Sequence, residues 1–213
     1  MRFRDYCSNG PIEINASNNE SDALGASSRL TKDHKNLRGP VIVEAGRRVD
    51  SLEAPVARFP TQNVPEVREK IRQVLKNRKP VAIVSSAASG ADLLLLDIAC
   101  EMRVPRHILL PSRPSKFRVS SVTDRPGNWG ELYSKALGNS RVEVIELPKG
   151  KARYLETNLK LLDCAQALAT KEHTTVEAMV VWNRVSRGPS DVTAHFLQQA
   201  ELRKLPILEI PTL

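Results

Sequence analysis

Six short apolar runs punctuate the chain from residue 40 onward: VIVEA (41–45), VAIVS (81–85), HILLP (107–111), VEVIEL (142–147), AMVVW (178–182) and PILEI (206–210). Most are apolar throughout rather than alternating, the pattern of strands covered on both faces. Segments with helical spacing stand between them. Val67, Ile71, Val74 and Leu75 fall at i, i+4, i+7 and i+8, behind Asn63 as a candidate cap and Pro65 in the first turn. Residues 92–102 form a strongly apolar second helix and residues 129–137 a shorter third. Residues 152–169 carry Leu155, Leu159, Leu162 and Ala169 on one face, and residues 192–203 make the last helix. Such alternation restricts the chain to the α/β class: a single Rossmann-like, open, mostly parallel sheet with helices on both faces. No internal repeat competes with it.

Residues 1–39 have a different texture, rich in Asn, Ser and charge without a sustained period. They are expected to form a poorly ordered extension, with residues 40–213 as the folded domain. A length of 213 residues at 41% hydrophobic content suits one ordinary domain. No apolar run reaches the ~18 residues of a membrane span, so no membrane partner is expected. The first residues lack the apolar core of a signal peptide, and Cys7, Cys100 and Cys164 show no disulfide or metal spacing. A cytoplasmic setting with buried thiols follows as the expectation, with no metal and no resident cofactor.

In sheets of this kind ligands bind beyond the carboxyl ends of the strands, where loops lead into helix N-termini. Backbone N–H groups and the helix dipole favour anions there. Three loops therefore hold the candidate ligand-binding residues. The first, AGRRVDSLEAPVARFP, offers Gly46 for a tight turn and Arg47, Arg48 and Arg58 as cations. Its Asp50 would accept from a ribose hydroxyl or pair with one of those arginines. The second, SSAASGAD, places Ser85, Ser86, Ser89 and Gly90 between strand and helix, small residues that admit a close approach of ligand or of backbone. Asp92 follows in the first helical turn, where a carboxylate stabilises the helix without any ligand. The third, NRVSRGPSDVTAHF, brings Gly188, Ser190 and Thr193 to a helix start, as a phosphate cradle would. Asp191 would repel a phosphate there, and Ser190 or Asp191 would serve as an ordinary N-cap. Neither a P-loop nor a dinucleotide fingerprint occurs.

The net charge of +8 admits an anionic ligand or nucleic acid without choosing between them. Residues 103–125 carry six basic side chains against Asp124 alone, either a solvated face or a phosphate-facing patch. Lys116 and Arg118 are its candidate anion contacts. Aromatic content of 4% does not supply the stacking platform of a single-strand binder. Trp182 ends a strand and Tyr154 begins a helix, each positioned to pack in the core or to touch a bound base.

Taken together, the segments GRRVD (46–50), RFP (58–60), ASGADLL (88–94), LLPSRPSKFRVSSV (109–122) with NWGELY (128–133), YLETNLKLLDCAQALA (154–169) and VVWNRVSRGPSDVTAHF (180–196) resemble, in this order, a bacterial branch of the SLOG superfamily. That superfamily joins Smf-type DNA-processing proteins to LOG phosphoribohydrolases on a Rossmann-like fold. The resemblance covers about residues 41–210. It implies a sensor module for a nucleotide or nucleotide-derived ligand, with Gly46, Arg47, Asp50, Ser86, Gly90, Asp92 and Thr193 lining or shaping the cleft. Related chains carry His where Arg47 stands, and a Gly-Gly-Thr turn where this chain has Ser190-Asp191-Val192-Thr193. The enzymatic LOG members have a glutamate three residues after that threonine; Phe196 occupies the place.

The expectation is therefore non-catalytic binding of a nucleotide-like small molecule. Its alternatives are N-glycosidic-bond cleavage of the LOG or deoxyribosyltransferase type, using Asp50, Asp92 or Asp191, and single-stranded nucleic-acid binding. A second copy of the chain and an effector protein are partners compatible with a sensor; nucleic acid ranks below them.

Overall fold

The computed structural model describes residues 38–213 apart from 139, 146, 148, 149 and 151. The extension expected over residues 1–39 thus lies, up to residue 37, outside the described residues. Six strands, β1 (Val41–Gly46), β2 (Ala82–Ser85), β3 (Arg106–Leu110), β4 (Arg141–Val144), β5 (Val176–Trp182) and β6 (Ile207–Pro211), form one sheet in the order β4-β3-β2-β1-β5-β6. Every pairing is parallel. The helices are α1 (Val64–Arg78), α2 (Ala91–Glu101), α3 (Pro114–Ser121), α4 (Trp129–Gly138), α5 (Ala152–Lys171) and α6 (Val192–Leu202).

Period-two alternation in the strands divides the core into two layers. Ile42, Ile83, Ile108, Leu110, Met179 and Val181 face α1, α2, α3 and α4, whose Ile71, Leu75, Leu95, Phe117 and Tyr133 bury against them. Val43, Val84, Leu109, Ala178, Val180 and Trp182 face the other way, onto Leu161, Leu162 and Ala165 of α5 and Phe196 of α6. Burial on both faces is why the runs read as continuously apolar rather than alternating. Helix α2 is buried from Ala91 to Ala99, between α1, α4 and the sheet, which accounts for its LLLL run.

Three local details differ from the sequence reading. Asn63 precedes α1, but its side chain does not cap the helix; its Nδ2 donates instead to the Thr212 carbonyl at 2.9 Å. Residues 114–121, read as part of a loop, form α3, with Pro114 in the first turn and only Phe117 and Ser121 buried. Strand β4 ends at Val144 and is largely exposed, as an edge strand is.

The topology fixes where a ligand can sit. From β1 the chain winds outward through β2, β3 and β4, and α5 then returns it to the opposite side of β1, where β5 and β6 follow. The loops after β1 and β5 therefore leave neighbouring strands in opposite directions. That divergence is a topological switch point, and it opens a crevice at the carboxyl edge of the sheet.

Candidate functional site

A cleft of about 580 Å³ occupies the switch point. The loop after β1 supplies Gly46, Arg47, Arg48, Asp50 and Arg58. The loop and helix after β2 supply Ser86, Ala88 and Asp92, and the far wall comes from Ser121, Arg125, Tyr154 and Asn158. Ser190 and Thr193 close it from the α6 side. Of the residues singled out from sequence, Gly46, Arg47, Asp50, Ser86, Asp92, Ser190 and Thr193 meet in this wall. Ser89, Gly90, Lys116, Arg118 and Gly188 do not. Lys116 is exposed on α3, and Arg118 donates to Ser134 Oγ of α4 at 3.0 Å.

Small residues after β2 serve contact between two backbones. Gly90 has φ +101°, and a Cβ there would lie 2.7 Å from the Arg47 carbonyl oxygen and 2.7 Å from the Val49 nitrogen. The Ala91 N–H donates to that same Arg47 carbonyl at 3.2 Å. A Cβ on Gly46 would come within 2.3 Å of the Ala91 Cβ. Ser89 N–H donates to the Ser121 carbonyl, and Ser86 Oγ to the Leu109 carbonyl. Any larger side chain would separate these loops.

Arg47 and Asp191 form a buried, bidentate ion pair. Arg47 Nη1 donates to Asp191 Oδ1 at 2.6 Å and Nη2 to Oδ2 at 2.8 Å, with the two side chains 3% and 0% exposed. The guanidinium also donates to Asn183 Oδ1 and the Val185 carbonyl, and lies 5.7 Å from the Trp182 ring centroid. Asp191 is the N-cap of α6 and accepts from the N–H groups of Thr193, Ala194 and Arg187. Burial alone would raise its pKa; the Arg47 guanidinium and those N–H groups outweigh burial and hold the carboxyl well below the usual carboxylate range. Arg47 and Asp191, which separately depart from the pattern of the SLOG domains that the sequence resembles, are thus partners. The carboxylate that would repel a phosphate is paired with Arg47 and is not part of the cleft wall.

Asp50 closes its own loop, accepting from Arg58 N–H at 2.8 Å and Phe59 N–H at 2.9 Å. Asp92 Oδ2 accepts from Ala88 N–H at 2.9 Å. Burial pushes Asp92 up to about 6 against the lowering by neighbouring backbone N–H groups and by the charge of Arg48. Glu44, also in the cleft wall, is fully buried on β1. Its Oε2 accepts from Ser85 Oγ at 2.9 Å, while Oε1 has no hydrogen-bond partner. Burial, reinforced by the charge of Asp92 and opposed by Ser85, raises its pKa well above the carboxylate range. Sequence reading passed over Glu44 because it stands inside an apolar strand run. An acid in a run covered on both faces is itself the signal, since such a charge must be partnered or neutralised.

The wall opposite α6 is basic. Arg48 Nε donates to Ser89 Oγ at 3.2 Å, and its Nη2 pairs with Asp124, which Arg125 also approaches at 3.6 Å. Arg153 stacks over the Tyr154 ring at 4.8 Å and donates to the Tyr154 hydroxyl at 2.9 Å. That hydroxyl also meets Ser121 Oγ at 3.3 Å. Burial would raise the Tyr154 phenol, but the hydrogen bonds of Ser121 and Arg153 prevail and lower it. Trp182, by contrast, is 7% exposed in the core under Arg47 and lines none of the cleft.

No family model matches the sequence, and no curated protein does. Among solved structures, the fold is similar to DNA processing protein A from Streptococcus pneumoniae, at 16% identity over 80% of this chain and 58% of that one, with a TM-score of 0.42. DNA processing protein A from Helicobacter pylori, whose structure describes its single-stranded DNA binding mode, matches at 17% identity, 79% and 77% coverage and a TM-score of 0.37. The Moco carrier protein of Chlamydomonas rheinhardtii matches at 13% identity, 82% and 92% coverage and a TM-score of 0.31. The chain therefore spans 58% of the length of the first of these. Among the described residues no helix is long and apolar enough to cross a membrane.

Proposed function

We propose that the chain binds a nucleotide or nucleotide-derived ligand in the switch-point cleft and acts as a sensor rather than as an enzyme. One observation carries this reading. A cleft of about 580 Å³, within the ordinary range of small-molecule sites, has buried carboxyl groups on one side and arginines on another. A ribose or base offers donors to the first, and phosphates offer charge to the second. The order of segments resembling SLOG domains supports the same class of ligand. Phe196, fully buried in the core, offers no group for acid–base chemistry where LOG enzymes carry a glutamate. Asp191 and Asp50 are each committed to structural hydrogen bonds.

Thermal-shift measurement against ADP, ADP-ribose, NAD+ and cyclic dinucleotides tests it. A ligand present at about 100 times its Kd stabilises the folded state by about 2.7 kcal/mol, a Tm gain of roughly 5–10 °C for a domain of this size. A flat response across the panel at millimolar concentration would overturn the reading.

A second reading rests on Asp92. With a pKa of about 6 in the cleft wall, it is suited to protonate a leaving base as a C1′–N bond breaks and water adds to C1′. Free base released from nucleoside monophosphates, and its loss in Asp92→Asn, would establish turnover. Binding without release would leave the sensor reading.

A further inference from the structure

In a parallel α/β sheet, phosphate is ordinarily held at a helix N-terminus beside the switch point, here that of α6. This chain fills that place from within. Asp191 accepts from the N–H groups of Arg187, Thr193 and Ala194 and from both terminal nitrogens of Arg47, the set of donors a ligand phosphate would take. An incoming phosphate would have to displace a buried carboxylate from a bidentate pair.

Positive charge in excess of its counterion lies across the cleft instead. Arg48 Nη2 pairs with Asp124, and Arg125 Nη1 stands 3.6 Å from the same carboxylate. Arg153 sits on Tyr154, which also lies within electrostatic range of Arg48. Among the described residues Asp124 is the one carboxylate paired with Arg48 or Arg125, so two guanidinium groups share a single negative charge. Arg125 Nε and Arg153 Nε are buried with no hydrogen-bond partner. A buried donor left unsatisfied is costly, and Arg125 Nε, on a side chain that lines the cleft beside excess positive charge, is one that a ligand anion would satisfy.

We infer that Arg48 and Arg125, with Ser121 and Tyr154, form the anion subsite of the cleft, with Arg153 acting through the Tyr154 hydroxyl to which it donates, and that it takes the phosphate or pyrophosphate group of the ligand. This deepens, and rests on, the nucleotide-binding reading. It sets the orientation: the anionic end lies between α3 and α5, and the uncharged end points toward Glu44 and Asp92. Ligands with a terminal phosphate or pyrophosphate are therefore preferred over their nucleosides.

Isothermal titration of the full chain in phosphate-free buffer, with ADP, adenosine and sodium pyrophosphate as probes, tests the assignment. ADP is expected to bind at least 10-fold more tightly than adenosine, with pyrophosphate competing against ADP. Arg48→Gln combined with Arg125→Gln should weaken ADP at least 10-fold and leave adenosine unchanged. Arg125→Gln alone, at a partly exposed position, should give a smaller loss in the same direction if the double variant does not fold. Adenosine and ADP binding alike to the wild type, or ADP unaffected by either variant, would overturn the subsite while leaving the cleft as a binding site. If neither ADP nor adenosine binds the wild type and the wider nucleotide panel leaves Tm unchanged, the nucleotide reading itself falls.

Discussion

Replacing Asp191 with Ala would strand Arg47, which is 3% exposed and directs two of its nitrogens at that carboxylate. Breaking a buried pair from one side typically costs about 3–5 kcal/mol, to which the lost N-cap adds. Urea denaturation of Asp191→Ala should show a loss of that size; a change under 1 kcal/mol would mean the pair is not formed in solution. The carboxyl groups also set opposite pH dependences. Asp191 titrates lower in the folded chain than its unfolded value near 3.9, so its stabilisation is present at neutral pH and fades as pH falls below about 4. Asp92, raised to about 6, keeps its proton in the folded state between about 4 and 6. Its contribution is present at acid pH and is lost as pH rises through 6. Asp92→Asn should therefore raise Tm at pH 8 relative to wild type, flattening the profile between pH 5 and 8. A Tm lowered equally at both ends would show that the Ala88 hydrogen bond needs the carboxylate. At this scale the sequence was only partly legible. Asp191 could be read as a cap from its place before α6, but its partner stands 144 positions away, and no local pattern reports such a pairing.

Among the elements, the junction from β2 into α2 depends most on particular residues. Gly90 holds φ +101° with the 47–49 backbone against its Cα, so Gly90→Ala meets both backbone strain and overlap. A destabilisation of about 2 kcal/mol or more is expected, lowering Tm by about 4–8 °C. Full retention of Tm would contradict the close packing of the two loops. Helices with a long buried stripe, α1, α2 and α5, were legible because apolar spacing is set by the surface they cover. Helix α3 was not, since only Phe117 and Ser121 turn inward and the rest of its side chains face solvent. The small residues at 85–90 marked a close approach correctly. What approaches them is the loop after β1, a partner that only the tertiary fold could supply.

For the whole molecule, the sheet order decides where a ligand can sit, and strand–helix alternation made the class of that sheet readable from the runs alone. Which loops would converge was not readable to the same degree. Parallel sheets of one class differ in strand order, and it is the position of β5 beside β1 that brings α5 and α6 to the cleft. Tyr154 and Asn158 joined the wall for that reason and Arg125 from the loop after α3, while Lys116 and Arg118, read from charge alone, did not. Charge alone thus did not locate the cleft wall. The most direct test is an NMR titration of the 15N-labelled chain with ADP. Amide shifts concentrated at residues 46–50, 86–92, 121–125 and 154–158, with the 187–194 segment little changed, are the predicted result. Absence of shifts at saturating ADP, or shifts centred on the α6 N-terminus, would contradict a cleft that binds its ligand by the arginines opposite α6.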